Sequence, residues 1–379
     1  MGPSCQPSAG ERGSGASDGG EDAPRSSGSS SSGGSSSGSS TSSSGGSECV
    51  GYLCLNGVCC SDTCNPAGTC VTQIASGQKQ PAIIVLNSGI FWTTTGGIMG
   101  VDVYGETMLA ASSAPTGLAV DSRNAYWTDS PANGPATVNE VSLASGATVT
   151  LVSGLVSAKD VAVDSTSAYF IATASDGGSQ DEIMSVPLAG GTPTVLFTDV
   201  CGRLSGLAVD SSNVYWMEHR GMPAACDGTT GAVLLSSVPK AGGTPTTLVV
   251  GQTDDWSTSL AEDSANLYWA SAAQVNGPTG ELSTVPKTGG APTTLASGLR
   301  SPRGIAVDSA NVYWTDDNTG AEDGTVTTVA KTGGTPTTLA SGLDNPLGIA
   351  VGSTGVLTGV LWVEGSSPVY GRVMAVGLQ

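Results

Sequence analysis

The chain has 379 residues, 55 of them glycine, only 12% charged and only three phenylalanine. Its net charge of −19, from 13 basic against 32 acidic residues, leaves no basic footprint for reading nucleic acid or docking on an anionic membrane. No run approaches the roughly eighteen apolar residues that span a bilayer, and the opening MGPSCQPSAG has neither the charged n-region nor the apolar h-region of a signal peptide.

Residues 1–47 are mostly serine and glycine. Such a segment cannot bury enough apolar surface to offset its ordering entropy, so it is expected to be a disordered tether. Within it Cys5 is a candidate for lipidation, as in a bacterial lipoprotein, against the plainer reading of an unpaired thiol. Residues 48–71 form a cysteine-rich module. Six of the nine cysteines, Cys49, Cys54, Cys59, Cys60, Cys64 and Cys70, fall within 22 residues. So many cysteines with almost no apolar core point to disulfides and an oxidising compartment. A zinc knuckle fits less well, because the spacing lacks paired ligands and the single histidine, His219, is far away. Connectivity stays open, since six cysteines allow 15 pairings. The module resembles short cysteine-rich units that precede adhesive domains in secreted proteins.

From residue 72 to 379 the chain repeats. GLAVDSRNAYWTD (117–129), GLAVDSSNVYWME (206–218), SLAEDSANLYW (259–269) and GIAVDSANVYWTDD (304–317) are copies of one unit, and DVAVDSTSAYF ends a fifth at Phe170. Degenerate copies end at Trp92 and Trp362. The aromatic anchors Trp92, Trp127, Phe170, Trp216, Trp269, Trp314 and Trp362 are 35 to 53 residues apart. The sixth unit reads as four strands, GIAVD, NVYWTD, GTVTTVAK and TPTTLASG, separated by Gly- and Asx-containing turns. Four short antiparallel strands at this period are the signature of a propeller blade. The expected fold is an all-β, seven-bladed propeller. The seventh unit lacks its outer strand, and VTQIASGQKQPAIIV (71–85) aligns with TTLASGLRSPRGIAV (293–307). Residues 71–77 are therefore expected to supply the missing strand and hide an open edge.

The tetrapeptides Tyr126-Trp127-Thr128-Asp129 and Tyr313-Trp314-Thr315-Asp316, with Pro302-Arg303-Gly304-Ile305-Ala306-Val307-Asp308, resemble the YWTD propellers of the low-density-lipoprotein-receptor class. The likeness extends over about 300 residues. It implies a rigid ring that binds proteins or peptides without a catalytic centre. That family usually has six blades, which stands as the alternative count, and some copies lose the motif, as at Tyr169-Phe170-Ile171-Ala172. Bacterial NHL and TolB-like surface propellers share the same periodic grammar.

Strand parity sorts the loops onto two faces. Face B collects the DSxN and KxGGTP turns. There Asp121, Asp164, Asp210, Asp263 and Asp308 are expected to cap their own turns, and Lys240, Lys287 and Lys331 to be solvated. Face A collects the irregular loops, where binding usually resides. Its candidate ligand-binding residues are Trp256, a contact anchor outside the repeats, Arg300 and Arg303, Glu218, His219 and Arg220, and Asp316 and Asp317. Cys201 and Cys226 are both placed on face A and are expected to form a disulfide. Asp316, Asp317, Asn318, Glu322 and Asp323 crowd oxygen ligands into one loop. Calcium is the metal that suits them, although the spacing is not that of an EF-hand; no other cofactor and no fixed metal is expected. The leading function is a non-enzymatic, extracytoplasmic scaffold, monomeric and secreted or lipid-tethered, that recognises a protein or peptide. The alternative is a lyase- or hydrolase-like propeller enzyme using His219 and Glu218 as acid and base.

Overall fold

The structure, a computed structural model, describes residues 70–378 except 103–104, 174–179, 200–202, 221–232, 252–254, 257–258, 274–279, 318–322, 355–356 and 366–370. Upstream it describes only the dipeptides Cys54–Leu55, Val58–Cys59 and Thr63–Cys64. The expectations for the leader, for Cys5, Cys49 and Cys60, and for the Cys201–Cys226 bridge lie outside the described residues. The backbones of Cys54 and Cys59, and of Cys64 and Cys70, are register partners in two short pairings.

Regular structure among the described residues is entirely β, and no helix is long and apolar enough to cross a membrane. Seven antiparallel sheets follow one another along the chain; six run from inner to outer strand in sequence order, and the seventh takes its outer strand from upstream of blade one. Blade six is typical: Pro302–Val307, Asn311–Asp316, Gly324–Ala330 and Thr337–Leu343. Blade five breaks its inner strand into Asp255–Trp256 and Leu260–Glu262, both paired to Asn266–Ala273. The third-to-fourth turns of blades three to six need paired glycines. Gly242 and Gly243, for instance, adopt φ of +80° and +132°, a region closed to most side chains.

The core is not central. Seven apolar clusters lie between successive blades, and each draws on two neighbours. The repeated Tyr-Trp dipeptide explains this, because consecutive strand residues point to opposite sheet faces. Tyr215 of blade four packs toward blade five with Leu267 and Val285, while Trp216 packs back toward blade three with Tyr169 and Ile171. Trp92, Trp216 and Trp362 are completely buried.

The ring closes as the repeat alignment requires. Cys70–Gln78 is the outer strand of blade seven, paired with Gly371–Gly377 in a register running from Val71↔Val376 to Gln78↔Gly371. It begins two residues before the boundary drawn at residue 72, so the cysteine-rich segment runs directly into the propeller. Gln78 also crosses to blade one, accepting a hydrogen bond from Trp92 Nε1 at 3.0 Å.

Face B differs from expectation in one respect. The turn aspartates do cap: Asp263 Oδ1 accepts from the backbone N–H groups of Ala265 and Asn266, and its Oδ2 from the Tyr268 hydroxyl. The lysines, however, are not solvated. Lys331 of blade six reaches back to Asp263 of blade five at 2.7 Å and sits 5.4 Å above the Tyr268 ring. Lys240 does the same to Asp164 and Tyr169, and Lys287 to Asp210 and Tyr215. Their side chains retain only 11–15% exposure. At the equivalent position Leu188 and Leu378 pack into the clusters of Tyr126 and Tyr313. The sequence reading missed this because the lysine's partner lies one whole repeat upstream.

Two outcomes test this architecture. Removal of residues 70–78 should lower the melting temperature by about 10 °C or more and promote association through the exposed edge of Gly371–Gly377, read by calorimetry and light scattering. The staples carry an acid signature. Burial raises the Asp210 carboxyl, but the N–H groups of Ser212 and Asn213, the Tyr215 hydroxyl and Lys287 outweigh it and hold Asp210 at about 2. Asp164 and Asp263 are held low for the same reasons, against the same opposing burial. A carboxyl depressed on folding contributes stability above its ordinary value of 3.8 that is lost as pH falls toward about 2. Urea titrations across that window should show a steep fall, and replacing Lys240, Lys287 and Lys331 by Met should flatten it.

Candidate functional site

The seven inner strands enclose a cavity of ≈ 410 Å³ on the ring axis. Crowding dictates the residues at its waist. A Cβ on Gly348 would stand 2.6 Å from Ala82 O, and one on Gly304 2.7 Å from Leu347 O. The repeat therefore favours glycine there, in four blades, Gly117, Gly206, Gly304 and Gly348, with Ile83 and Ser259 in two others. Blade three breaks the rule with Asp160, held at a φ of +47° and facing the cavity.

A departure one blade on explains part of this. In blade six the threonine of the YWTD motif, Thr315 Oγ1, accepts from Gly304 N at 2.9 Å, and Thr93 accepts from Ile83 N in blade one. Blade four carries Met217 at that position, so Gly206 N has no such hydroxyl. It donates instead to Asp160 Oδ2 across the blade boundary, at 3.0 Å. Burial pushes the Asp160 carboxyl up to about 6, against the pull of the Gly206 N–H and the positive charge of Lys159. Sequence reading overlooked Asp160, although the signal was present: DVAVD stands where other copies read GLAVD or GIAVD.

A second cavity of ≈ 420 Å³ opens on face A at the seam of blades seven and one. It shares Ala82 and Leu347 with the axial cavity, and its walls are uncharged, mixing Thr93, Thr94, Thr95, Gln80 and Asn345 with Pro81, Pro115 and Leu347.

The residues singled out from the sequence surround this mouth without forming one constellation. Arg303 lines the axial cavity and pairs with Asp317 at 3.2 Å. Asp316 is buried and caps the link into blade six, accepting from the backbone N–H groups of Arg300 and Ser301, as Asp129 does for Ala114. That is a structural duty for the carboxylate proposed as a calcium ligand, and Asn318 and Glu322 of the same loop lie outside the described residues. The Arg300 side chain is exposed. Glu218 is buried and pairs with Arg220 at 2.6 Å, whereas His219 Nε2 lies 2.8 Å from Ser205 Oγ. As strand neighbours, Glu218 and His219 project to opposite faces of blade four, so they do not form an acid–base pair. Trp256, expected as a contact anchor, belongs to the first segment of the inner strand of blade five, Asp255–Trp256, its backbone opposite Ala272. Among the described residues no three His, Cys, Asp or Glu side chains gather as a metal site.

Replacing Asp160 with Ala should cost about 1–3 kcal/mol, because it strands a buried N–H. Replacing it with Asn, which keeps an oxygen for Gly206, should cost less than half of that. Chemical denaturation measures both.

No family model matches the chain, and neither does any curated protein. Solved structures do match in fold. An oligogalacturonate lyase from Vibrio parahaemolyticus superposes with a TM-score of 0.60 at 10% identity, covering 83% of this chain and 95% of its own. An oligogalacturonate lyase in complex with manganese gives 0.59 at 13%, covering 82% and 94%. The propeller domain of the trilobed protease from Pyrococcus furiosus, described as having an open velcro topology, gives 0.55 at 8%, covering 78% and 92%. At such identities the likeness establishes the β-propeller fold and nothing finer; unlike that last relative's description, this ring is closed by strand pairing between Cys70–Gln78 and Gly371–Gly377.

Proposed function

We propose that this chain is a non-enzymatic, extracytoplasmic binding scaffold that takes a protein or peptide segment on face A, across the axial mouth and the adjoining seam. The observation that carries this reading is the adjacency of two cavities, ≈ 410 and ≈ 420 Å³, both lined by Ala82 and Leu347. Both lie within the size range of ligand sites. An extended segment that entered the axis could run on over the seam, where neutral hydroxyl and amide side chains would meet its backbone. On face B the turns are tied down by the Asp–Tyr–Lys contacts. The extracytoplasmic setting rests on the density of cysteine in residues 48–71. The divergence of Glu218 and His219 favours this reading over an enzyme built on that pair.

Panning a displayed random peptide library against the immobilised full chain tests it. Enriched peptides should lose about tenfold or more in affinity for the face A variant Arg300→Glu/Arg303→Glu and bind the face B variant Ser211→Arg/Ser309→Arg unchanged. Loss on face B instead, or no enrichment over the bare support, would overturn the proposal.

A further inference from the structure

The axial cavity has two charged side chains on its described walls, Asp160 in blade three and Arg303 in blade six. Three steps apart in a ring of seven, they occupy opposing walls. Their situations differ. Arg303 is about half exposed and already paired with Asp317. Asp160 has no cation in contact. Its one hydrogen-bond partner among the described residues is Gly206 N, and Lys159, its neighbour along the strand, turns the other way and places its ammonium 2.8 Å from Asp181. A half-buried carboxylate with one N–H for company is under-compensated. Its raised proton affinity has the same cause.

Apart from Ser259, the rest of the described wall is aliphatic residues and backbone, including Ile84, Leu118, Val161, Leu207 and Ile305. A half-buried carboxylate set among aliphatic residues and backbone complements a particular kind of group: an aliphatic stem that ends in a positive charge. A hard metal ion is a poor fit, because calcium takes six or more oxygens and one carboxylate cannot supply them.

We propose that the axial cavity is a receptor for one cationic side chain, a lysine or arginine of the bound segment, whose stem lies along the inner strands and whose charge meets Asp160. This rests on the face A reading and adds its chemical specificity. The overall charge of −19 supports it, since a cationic segment is drawn toward the protein as a whole. It also gives Asp160 a function beyond accepting from Gly206 N, a task that an uncharged side chain could perform.

The test uses the full chain with two probes, Nα-acetyl-lysine methylamide and its neutral counterpart Nα-acetyl-norleucine methylamide, followed by calorimetry or NMR at millimolar concentration. The lysine probe should bind saturably and the norleucine probe about tenfold more weakly; Asp160→Asn should weaken the lysine probe by about the same factor. Asp160→Gly should behave like Asp160→Asn, and its fold should survive because glycine stands at this position in four other blades. Equal binding of the two probes, indifference to both substitutions, or no saturable binding of the lysine probe would overturn the proposal. Peptides from the face A screen separate the two readings. Peptides that depend on Arg300 and Arg303 but not on Asp160 would remove the cationic receptor and leave the face A site standing; peptides that depend on neither would remove both.

Discussion

A ring of sheets has no central core, so each blade is stable only while both of its faces are covered by neighbours. That constraint makes closure the condition for everything else. Were the ends of the chain not joined, the cluster between blades seven and one, with Trp92, Leu361 and Val363, would lose its enclosure, and the outer edge of Gly371–Gly377 would be unpaired. The strand Cys70–Gln78 completes that edge, and Gln78 ties it to the indole of Trp92. One segment of nine residues thus seals a sheet and braces an interface.

The two ends of the ring follow opposite rules. On face B a short motif recurs: an aspartate caps its own turn, accepts from the tyrosine of its own blade, and in three interfaces receives a lysine from the next blade. Such contacts make blade spacing uniform and leave little room for variation. On face A the equivalent links are held by the fourth residue of the YWTD motif, Asp129 or Asp316, which accepts from backbone N–H groups of the link. Loops anchored at their base in this way can differ in length without disturbing the sheets, and it is there that the cavities open.

The chemistry on the axis comes from a broken repeat. Met217 takes the place of a threonine, Gly206 loses its hydroxyl acceptor, and Asp160 of the preceding blade supplies an oxygen. Departures in two neighbouring repeats thus set a carboxylate in a ring whose other members are glycine, serine and isoleucine. The charge exceeds what the N–H requires, and that surplus gives the cavity its polarity.

Much of this was legible in the amino-acid order. The period of the aromatic anchors determined the number of blades, the alignment of residues 71–85 with 293–307 determined the closing strand, and the aspartates of the DSxN turns determined their own caps, because each of these depends on local pattern or on repetition. The tertiary structure decided what depends on pairing between repeats. Only the ring brings Lys331 over Tyr268, sixty-three residues earlier, and buries it. Only the strand geometry sends Glu218 and His219 apart although they are adjacent in sequence. Only the convergence of seven inner strands turns an aspartate in a glycine's place into the one acidic wall of the axial cavity among the described residues. Local propensity acts within a strand or turn, whereas a site is made where strands distant in sequence approach, and that approach is set by the closed ring.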